Sequence, residues 1–177
     1  MRNLKVLNSL CMLIVSSILM GALYFQFGLG EDPCPLCLLQ RMGMMGILFG
    51  LSLNIFYGFK AEHFATVIVA SLVGLVFSTR QVLLHICPEP GVDPGYGTPI
   101  FGMYLYSWGV LIFIASIFAT SIFLFFIPKN KNKNKILTPI LIERISFFLA
   151  VSIVLINVIA TLFECQFGPC CENGPCL

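Results

Sequence analysis

Five long stretches of this chain contain no charged residue, and they limit the possible folds more than any other feature. They cover residues 6–30, 42–59, 64–79, 96–128 and 145–163. An α-helix needs about 20 apolar residues to cross a lipid bilayer. Charged residues make up only 10% of the chain, whereas soluble domains contain roughly 25%. The sequence therefore predicts an all-α membrane protein, a transmembrane helical bundle with five spans.

The first apolar stretch is expected to stay in the membrane as an anchor. The hydrophobic region of a cleaved signal peptide is about 7 to 15 residues long, which is shorter than this stretch. No small-residue cleavage site follows it. Cys11 lies within the stretch, and we expect it to be an inert buried thiol.

The lysines indicate how the spans are oriented, because short cytoplasmic loops collect Lys and Arg. All six lysines fall on one side of the predicted bilayer: Lys5, Lys60, Lys129, Lys131, Lys133 and Lys135. This pattern predicts a cytoplasmic N-terminus and, after five spans, a C-terminus on the outer face. Every cysteine except Cys11 then lies on or near that outer face, where disulfides form and persist.

Alternating Lys and Asn residues fill positions 129–135. Such a tract can bind nucleic acid or anionic lipid. We favour a solvated cytoplasmic segment that stops transfer between the fourth and fifth spans. The expected partners therefore include the lipid bilayer and no nucleic acid.

The segment "EDPCPLCLLQR" holds Cys34 and Cys37 in a Cys-x-x-Cys spacing. Covalent haem attachment requires His after the second cysteine, and this chain has Leu38 there. Structural zinc would need two more ligands, which the C-terminal cysteines could supply, and a purely structural disulfide is a further alternative. Redox chemistry needs only the pair itself, and the flanking prolines restrict its backbone.

Arg41 favours the redox alternative. It stands four residues after Cys37, about one helical turn if the second span begins near Leu38, so its guanidinium can lie close to the thiol. An arginine at the rim of a span is costly unless it snorkels or has a function. A thiolate beside a fixed cation, at the depth of a lipid-soluble acceptor, is what passing two electrons to a quinone would require.

At this point a family resemblance can be stated. The run "PCPLCLLQR" resembles the first periplasmic loop of the disulfide bond formation protein B (DsbB) family, while "RQVLLHI" and "GMYLYSW" are similar to the outer ends of its third and fourth spans. The resemblance implies a four-helix DsbB-like core and a thiol-disulfide oxidoreductase of the bacterial inner membrane. Such a protein reoxidises a periplasmic DsbA-like dithiol oxidase and passes two electrons to a membrane quinone, either ubiquinone or menaquinone.

The resemblance also implies roles for single residues. Cys37 would approach the quinone, Cys34 would exchange disulfides with a second cysteine pair, and Arg41 would be the cation of the quinone site. Arg80 and His85, near the outer end of the third span, are further quinone-binding candidates. For His85, an interfacial hydrogen bond is an equally good explanation.

The second outer loop departs from the family pattern, because it contains Cys87 alone where familiar members carry two cysteines. Four cysteines occur instead in the tail: Cys165, Cys170, Cys171 and Cys176. The Gly-Pro turn in "QFGP" can bring Cys165 and Cys170 within disulfide distance, so we expect this pair to exchange with Cys34. A pair of Cys171 with Cys176, a bridge from Cys87 and a structural staple of the tail remain alternatives.

These observations divide the chain into four parts. They are a DsbB-like core (1–128), a cytoplasmic basic loop (129–144), a fifth span (145–163) and a periplasmic Cys-rich tail (164–177). The alternative from a different functional class is a membrane metal-binding or sensor protein that uses the outer cysteine cluster. Thiols protected by metal would indicate that alternative, and cysteine pairs that cycle between oxidised and reduced forms would indicate the enzyme.

Overall fold

A computed structural model describes residues 2–86, 95, 97–127, 139–165, 170–171 and 174–175. The Lys/Asn tract lies outside these residues. Five helices in the described ranges are long and apolar enough to cross a membrane: α1 (Arg2–Leu23), α2 (Pro35–Tyr57), α3 (Ala61–Leu84), α4 (Leu105–Phe125) and α5 (Leu141–Cys165). The prediction of an all-α, multi-pass membrane bundle is confirmed.

Two short elements accompany the five helices. α1 continues into a π-helical turn over Tyr24–Gly28, a feature that is often found at functional sites. After α5, the two-residue strands β1 (Cys170–Cys171) and β2 (Gly174–Pro175) pair in antiparallel fashion.

Contacts between helix ends define the two ends of the bundle. Lys5 Nζ donates to Glu143 Oε2 at 3.1 Å, so α1 and α5 begin at the same end. Gln81 Nε2 lies 3.2 Å from Cys34 Sγ, so α3 ends where α2 begins. We call the end that contains Cys34 the cysteine end, and the opposite end, which contains Lys5, the lysine end.

Three of the helices pack against one another, and the other two continue the bundle on one side of α2. α5 packs against α1, α1 against α2, α2 against α3, and α3 against α4, while α5 also contacts α2. The core between them is formed by aliphatic side chains and one large ring, with Met12, Leu19, Ile47, Phe113 and Ile153 among its members. α1 and α4 both contribute residues to the cavity described below.

Small residues allow α2 and α3 to approach closely. A Cβ atom added to Gly43 would lie 2.9 Å from the Cα of Gly74, and one added to Gly50 would lie 2.6 Å from Val67 Cγ2. Because lipid tails are as apolar as the side chains, close packing of this kind is a main source of helix association in membranes. It fixes α2 against α3 in the register that places Cys34 beside the end of α3.

A buried polar cluster ties three helices together toward the lysine end. Asn54 Nδ2 donates to Asn8 Oδ1 at 3.0 Å, and Asn8 Nδ2 donates to the Leu51 carbonyl at 3.2 Å. His63 Nδ1 lies 3.1 Å from Asn54 Oδ1. Buried polar groups are stable when they are hydrogen-bonded to one another in this way. These bonds therefore fix the positions of α1, α2 and α3 relative to one another toward the lysine end.

Candidate active site

The Cys-x-x-Cys segment forms the first turn of α2. Cys34 is the N-cap residue, and its Sγ accepts a hydrogen bond from the Cys37 N–H at 3.0 Å. Pro35 occupies the first helical position, where its missing N–H is tolerated. The helix therefore begins at Pro35, so Cys37 and Arg41 both lie within it, as their predicted one-turn spacing requires. Cys34 and Cys37 form a disulfide, with Cα atoms 5.0 Å apart.

The two sulfur-bearing residues have different surroundings. Cys34 is 5% exposed, whereas Cys37 is partly exposed and lines a cavity. The predicted exchange of Cys34 with the tail therefore requires the first turn of α2 to uncover its sulfur. The structure shows that the pair is joined, and the redox role of each cysteine stays a prediction.

Two buried glutamines lie against the disulfide. Gln81, near the end of α3, is 1% exposed, and its Nε2 lies 3.2 Å from Cys34 Sγ and 3.6 Å from Cys37 Sγ. Gln40 Nε2 donates to Gln81 Oε1 at 2.6 Å. Gln81 Oε1 also lies 3.9 Å from Cys37 Sγ, but the bond from Gln40 orients the amide so that its NH2 group is the nearer group to both sulfurs.

Arg41 lies in α2 near the cavity and is 8% exposed. Its Nη1 donates to Gln26 Oε1 at 2.6 Å, and its Nη2 donates to the Ala22 carbonyl at 3.0 Å. Gln26 lies in the π-helical turn, and its Nε2 donates to Glu164 Oε2 at 3.1 Å. A buried charge is tolerated when it is hydrogen-bonded and when opposite charge lies nearby. Gln26 and Glu164 supply these two conditions for Arg41.

A cavity of about 410 Å³ opens beside the disulfide. Apolar side chains of α1, its π-helical turn, α2 and α4 form most of the wall, including Ile18, Phe25, Met44, Leu105 and Ile112. Its polar groups include Cys37, Arg41, Gln26, Gln40 and Gln81. An apolar chamber of roughly 300 to 1,000 Å³ with a few convergent polar groups is the usual form of a small-molecule site.

Residues 97–104, the segment that precedes α4, contribute to the wall of the cavity at the cysteine end. The Glu31 carboxylate accepts hydrogen bonds from the hydroxyl and the backbone N–H of Thr98. Trp108 Nε1 donates to the Ile100 carbonyl at 3.1 Å. Phe101 lines the cavity and is 93% exposed. The segment is thus tied to the start of α4 and to the residues that precede the disulfide.

Arg80 and His85 are not among the residues that line this cavity. Arg80 is exposed. His85 Nδ1 donates to the Gln81 carbonyl at 2.8 Å, and its ring stacks on that of Tyr106 with centroids 5.1 Å apart. Tyr106 lines the cavity, so the Tyr106 ring lies between His85 and the cavity. The assignment of Arg80 and His85 to a quinone stays a prediction.

The tail is described only in part. Cys165, the last residue of α5, is disulfide-bonded, but the Cys170 side chain, Cys87 and Cys176 lie outside the described part of the chain. The predicted pairing of Cys165 with Cys170 and its exchange with Cys34 therefore stay predictions. Among the described residues, no group of three or more His, Cys, Asp or Glu side chains is placed to hold a metal ion.

Comparison with known proteins identifies the family. The family model for disulfide bond formation protein DsbB matches residues 4–124, more than half of the chain. The chain belongs to the DsbB family. The match covers most of α1 and nearly all of α4, and it ends before α5. Glu164, which binds Gln26, therefore belongs to a part of this DsbB-family chain that lies beyond the family match.

Curated relatives agree with the family match. The chain is 35% identical over 98 residues to disulfide bond formation protein B of Pseudomonas syringae pv. tomato, covering 52% of this chain and 55% of that protein. It is 40% identical over 91 residues to disulfide bond formation protein B of Methylococcus capsulatus, covering 47% and 55%. The chain thus spans about half the length of the curated relatives it matches. No solved structure matches it significantly.

Sequence reasoning missed three residues of the site: Gln26, Gln40 and Gln81. Each of them lies in a membrane-spanning helix or its continuation and is buried. A polar side chain in a membrane span is costly, and it is a functional-site hypothesis by default. This signal was present in the sequence and could have identified all three.

Proposed function

We propose that this DsbB-family chain is a membrane thiol-disulfide oxidoreductase that reoxidises a periplasmic DsbA-like dithiol oxidase and passes two electrons to a membrane quinone. The observation that carries the proposal is the Cys34–Cys37 disulfide, whose second cysteine lines an apolar cavity together with Arg41. The family match and the names of the relatives support the disulfide chemistry.

The residues around the cavity fit a quinone. The walls are mostly apolar, as a ring with an isoprenoid tail requires. A guanidinium carries five N–H donors, and Gln26 and Ala22 engage two of those on Arg41. The remaining donors of Arg41 can hold a ring oxygen. A bound quinone supplies an acceptor for two electrons and two protons.

The chain itself supplies the disulfide and the groups that stabilise its reduced form. An incoming thiolate attacks one sulfur and forms a mixed disulfide, which a second thiolate resolves. Each cycle converts one partner dithiol to a disulfide and reduces Cys34–Cys37 to a dithiol, and reoxidation transfers the two electrons and two protons to the acceptor. Cys34 lies at the N-terminus of α2, where the helix dipole and the Cys37 N–H favour a thiolate.

The proposed orientation places the cysteine end in the periplasm of a bacterial inner membrane. Lys5 and Lys60 flank spans at the lysine end, whereas Glu31 and Glu164 lie at the cysteine end. Cytoplasmic loops carry the excess of Lys and Arg. The Cys34–Cys37 disulfide would then lie in the compartment where disulfides persist.

The decisive experiment reconstitutes the purified protein in lipid with quinone and supplies a reduced DsbA-like oxidase. We expect partner thiols to be lost in step with quinone absorbance, and we expect Cys37→Ser to abolish both changes. The matched control is Cys11→Ser, which removes a thiol from α1 away from the cavity and should leave the rate unchanged. A Cys37→Ser variant that keeps the wild-type rate would overturn the proposal.

A second experiment tests the predicted route through the tail. Changing Cys165 and Cys170 together to Ser should abolish oxidation of the protein partner, because the tail disulfide is proposed to receive its electrons first. A small dithiol should still reduce Cys34–Cys37 in this variant and support quinone reduction. If the double variant oxidises its protein partner at the normal rate, the electrons enter the chain elsewhere.

A further inference from the structure

A buried polar contact joins Gln81 of α3 to the disulfide at the start of α2. The Gln81 NH2 group lies within 3.2 Å of Cys34 Sγ and 3.6 Å of Cys37 Sγ, and the side chain is 1% exposed. A disulfide sulfur is only a weak acceptor, so a buried amide gains little from such a contact while the pair is oxidised. The same amide would bind a thiolate strongly, because hydrogen bonds to charged groups are the strong ones.

The surroundings fix the direction in which this amide points. Gln40 Nε2 donates to Gln81 Oε1 at 2.6 Å, which occupies the oxygen and leaves the NH2 group toward sulfur. The Cys37 N–H reaches Cys34 Sγ at 3.0 Å from a second direction. Cys34 Sγ therefore has two N–H donors in contact, one from the backbone of α2 and one from a side chain of α3.

We propose that Gln81 stabilises the thiolate that forms when the Cys34–Cys37 disulfide is reduced, and that Gln40 positions it for this task. The inference rests on the proposed thiol chemistry of the pair. Reduction by a dithiol breaks the Cys34–Cys37 bond and forms one disulfide in the reductant. Of the two protons released by that dithiol, one stays on a sulfur of the pair and the other leaves to solvent. The Gln81 NH2 group then faces the unprotonated sulfur.

Stabilising the reduced form makes the disulfide a stronger oxidant. A hydrogen bond to a charged group contributes enough to change an equilibrium constant by about tenfold to a hundredfold. For this two-electron couple, a tenfold change corresponds to about 30 mV in reduction potential. Gln81 would thereby contribute to the oxidising strength of the pair from a helix that carries neither cysteine.

The test uses three full-length variants in lipid and dithiothreitol as the only reductant. Gln81→Met keeps the unbranched shape and removes the donors. Gln81→Glu keeps the shape and replaces the NH2 group with an oxygen. Asn157→Leu is the matched control, since Asn157 is a fully buried amide of α5 whose Oδ1 has no hydrogen-bond partner in the described structure.

The first measurement is the ratio of dithiothreitol to its oxidised form at which half of the pair is reduced. Above the pH at which the thiol of the Gln81→Met variant is itself deprotonated, Gln81→Met should need about ten times more reductant than the wild type, and Gln81→Glu at least as much. Asn157→Leu should match the wild type. The difference should vanish at lower pH, because both sulfurs are then protonated in every variant and no thiolate remains to be stabilised.

The second measurement is the pH dependence of alkylation of the reduced protein by a small reagent. The pH of half-maximal rate should rise by about one unit in Gln81→Met. Loss of packing alone would not move this midpoint, so the measurement separates a thiolate contact from a structural role. Unchanged reduction equilibria together with an unchanged alkylation midpoint in Gln81→Met would overturn the inference.

The two proposals fail in different ways. Neither measurement contains quinone or a protein partner, so a shifted equilibrium in a protein that does not turn over quinone would overturn the proposed electron acceptor and support the role of Gln81. Normal quinone-dependent turnover of the wild type, together with an unchanged reduction equilibrium in Gln81→Met, would overturn the role of Gln81 and support the proposed electron acceptor.

Discussion

The ion pair between Lys5 and Glu143 joins the first helix to the fifth at the lysine end. Lys5 Nζ lies 3.1 Å from Glu143 Oε2, and the two side chains are 9% and 2% exposed. The same carboxylate oxygen accepts the Ile140 N–H at 2.9 Å. We predict that Lys5→Met destabilises the protein more than Glu143→Leu, and that the double variant is more stable than Lys5→Met alone.

The burial of the two side chains and their hydrogen bonds indicate how large the loss of stability should be in each variant. Removing one partner of a buried ion pair costs roughly 3 to 5 kcal/mol, because the other charge is left buried. Lys5→Met strands the Glu143 carboxylate, which keeps the Ile140 N–H, so we expect about 3 kcal/mol. Glu143→Leu leaves an ammonium near the start of α1 on a flexible stem that can extend to the interface, so we expect about 1 to 2 kcal/mol.

The assay is unfolding of each purified variant in mixed micelles by titration with sodium dodecyl sulfate, followed by circular dichroism. Arg144→Gln is the control, because it removes an exposed charge next to Glu143 and should change the free energy of unfolding by less than about 0.5 kcal/mol. Losses that add in the double variant would show that the two side chains are not coupled and would refute the reasoning.

Three further predictions concern packing, the cavity and the orientation. A Cβ at position 74 would run into the ring of Phe113, so Gly74→Ala should lower the free energy of unfolding by about 1 to 3 kcal/mol, and Phe113→Leu should restore part of the loss. Gln26→Met removes a 2.6 Å hydrogen bond to Arg41, and it should raise the quinone concentration needed for half-maximal turnover several-fold while the disulfides still form. In intact, reduced cells, a membrane-impermeant thiol reagent should label the tail cysteines and miss Cys11. Labelling of the tail only after lysis would reverse the orientation.

The helices were predictable from the sequence because a membrane span is a local property. Long uncharged stretches must form helices in lipid, since every backbone polar group has to be satisfied within the segment. That Cys37 and Arg41 lie on the same side of α2 was predictable for the same reason, because they stand about one helical turn apart, and both line the cavity. The first residue of α2 was not predicted from the sequence. The helix begins at Pro35 because Cys34 acts as its N-cap residue.

The rest of the site depends on contacts between helices, which a single sequence does not specify. Arg80 and Gln81 are neighbours in the chain, yet Arg80 is exposed and Gln81 is buried, with only 1% of its surface exposed. Successive residues of a helix point about 100° apart, so the rotation of α3 against α2 decides which side chain meets the disulfide. That rotation follows from the close approach of Gly43 to Gly74, and its consequence for Gln81 appears only in three dimensions.

The apolar helices around the cavity have a consequence for how the concentration of any ligand should be expressed. α1, α2 and α4 all line the cavity and are all long and apolar enough to cross a membrane, so we expect an apolar ligand to reach the cavity from the bilayer. A ligand that takes this path is dissolved in lipid, and the quantity that governs its binding is the number of ligand molecules per lipid molecule. Adding empty lipid to vesicles at constant total protein and ligand should therefore slow turnover, whereas diluting the same vesicles with buffer should leave the rate per protein unchanged.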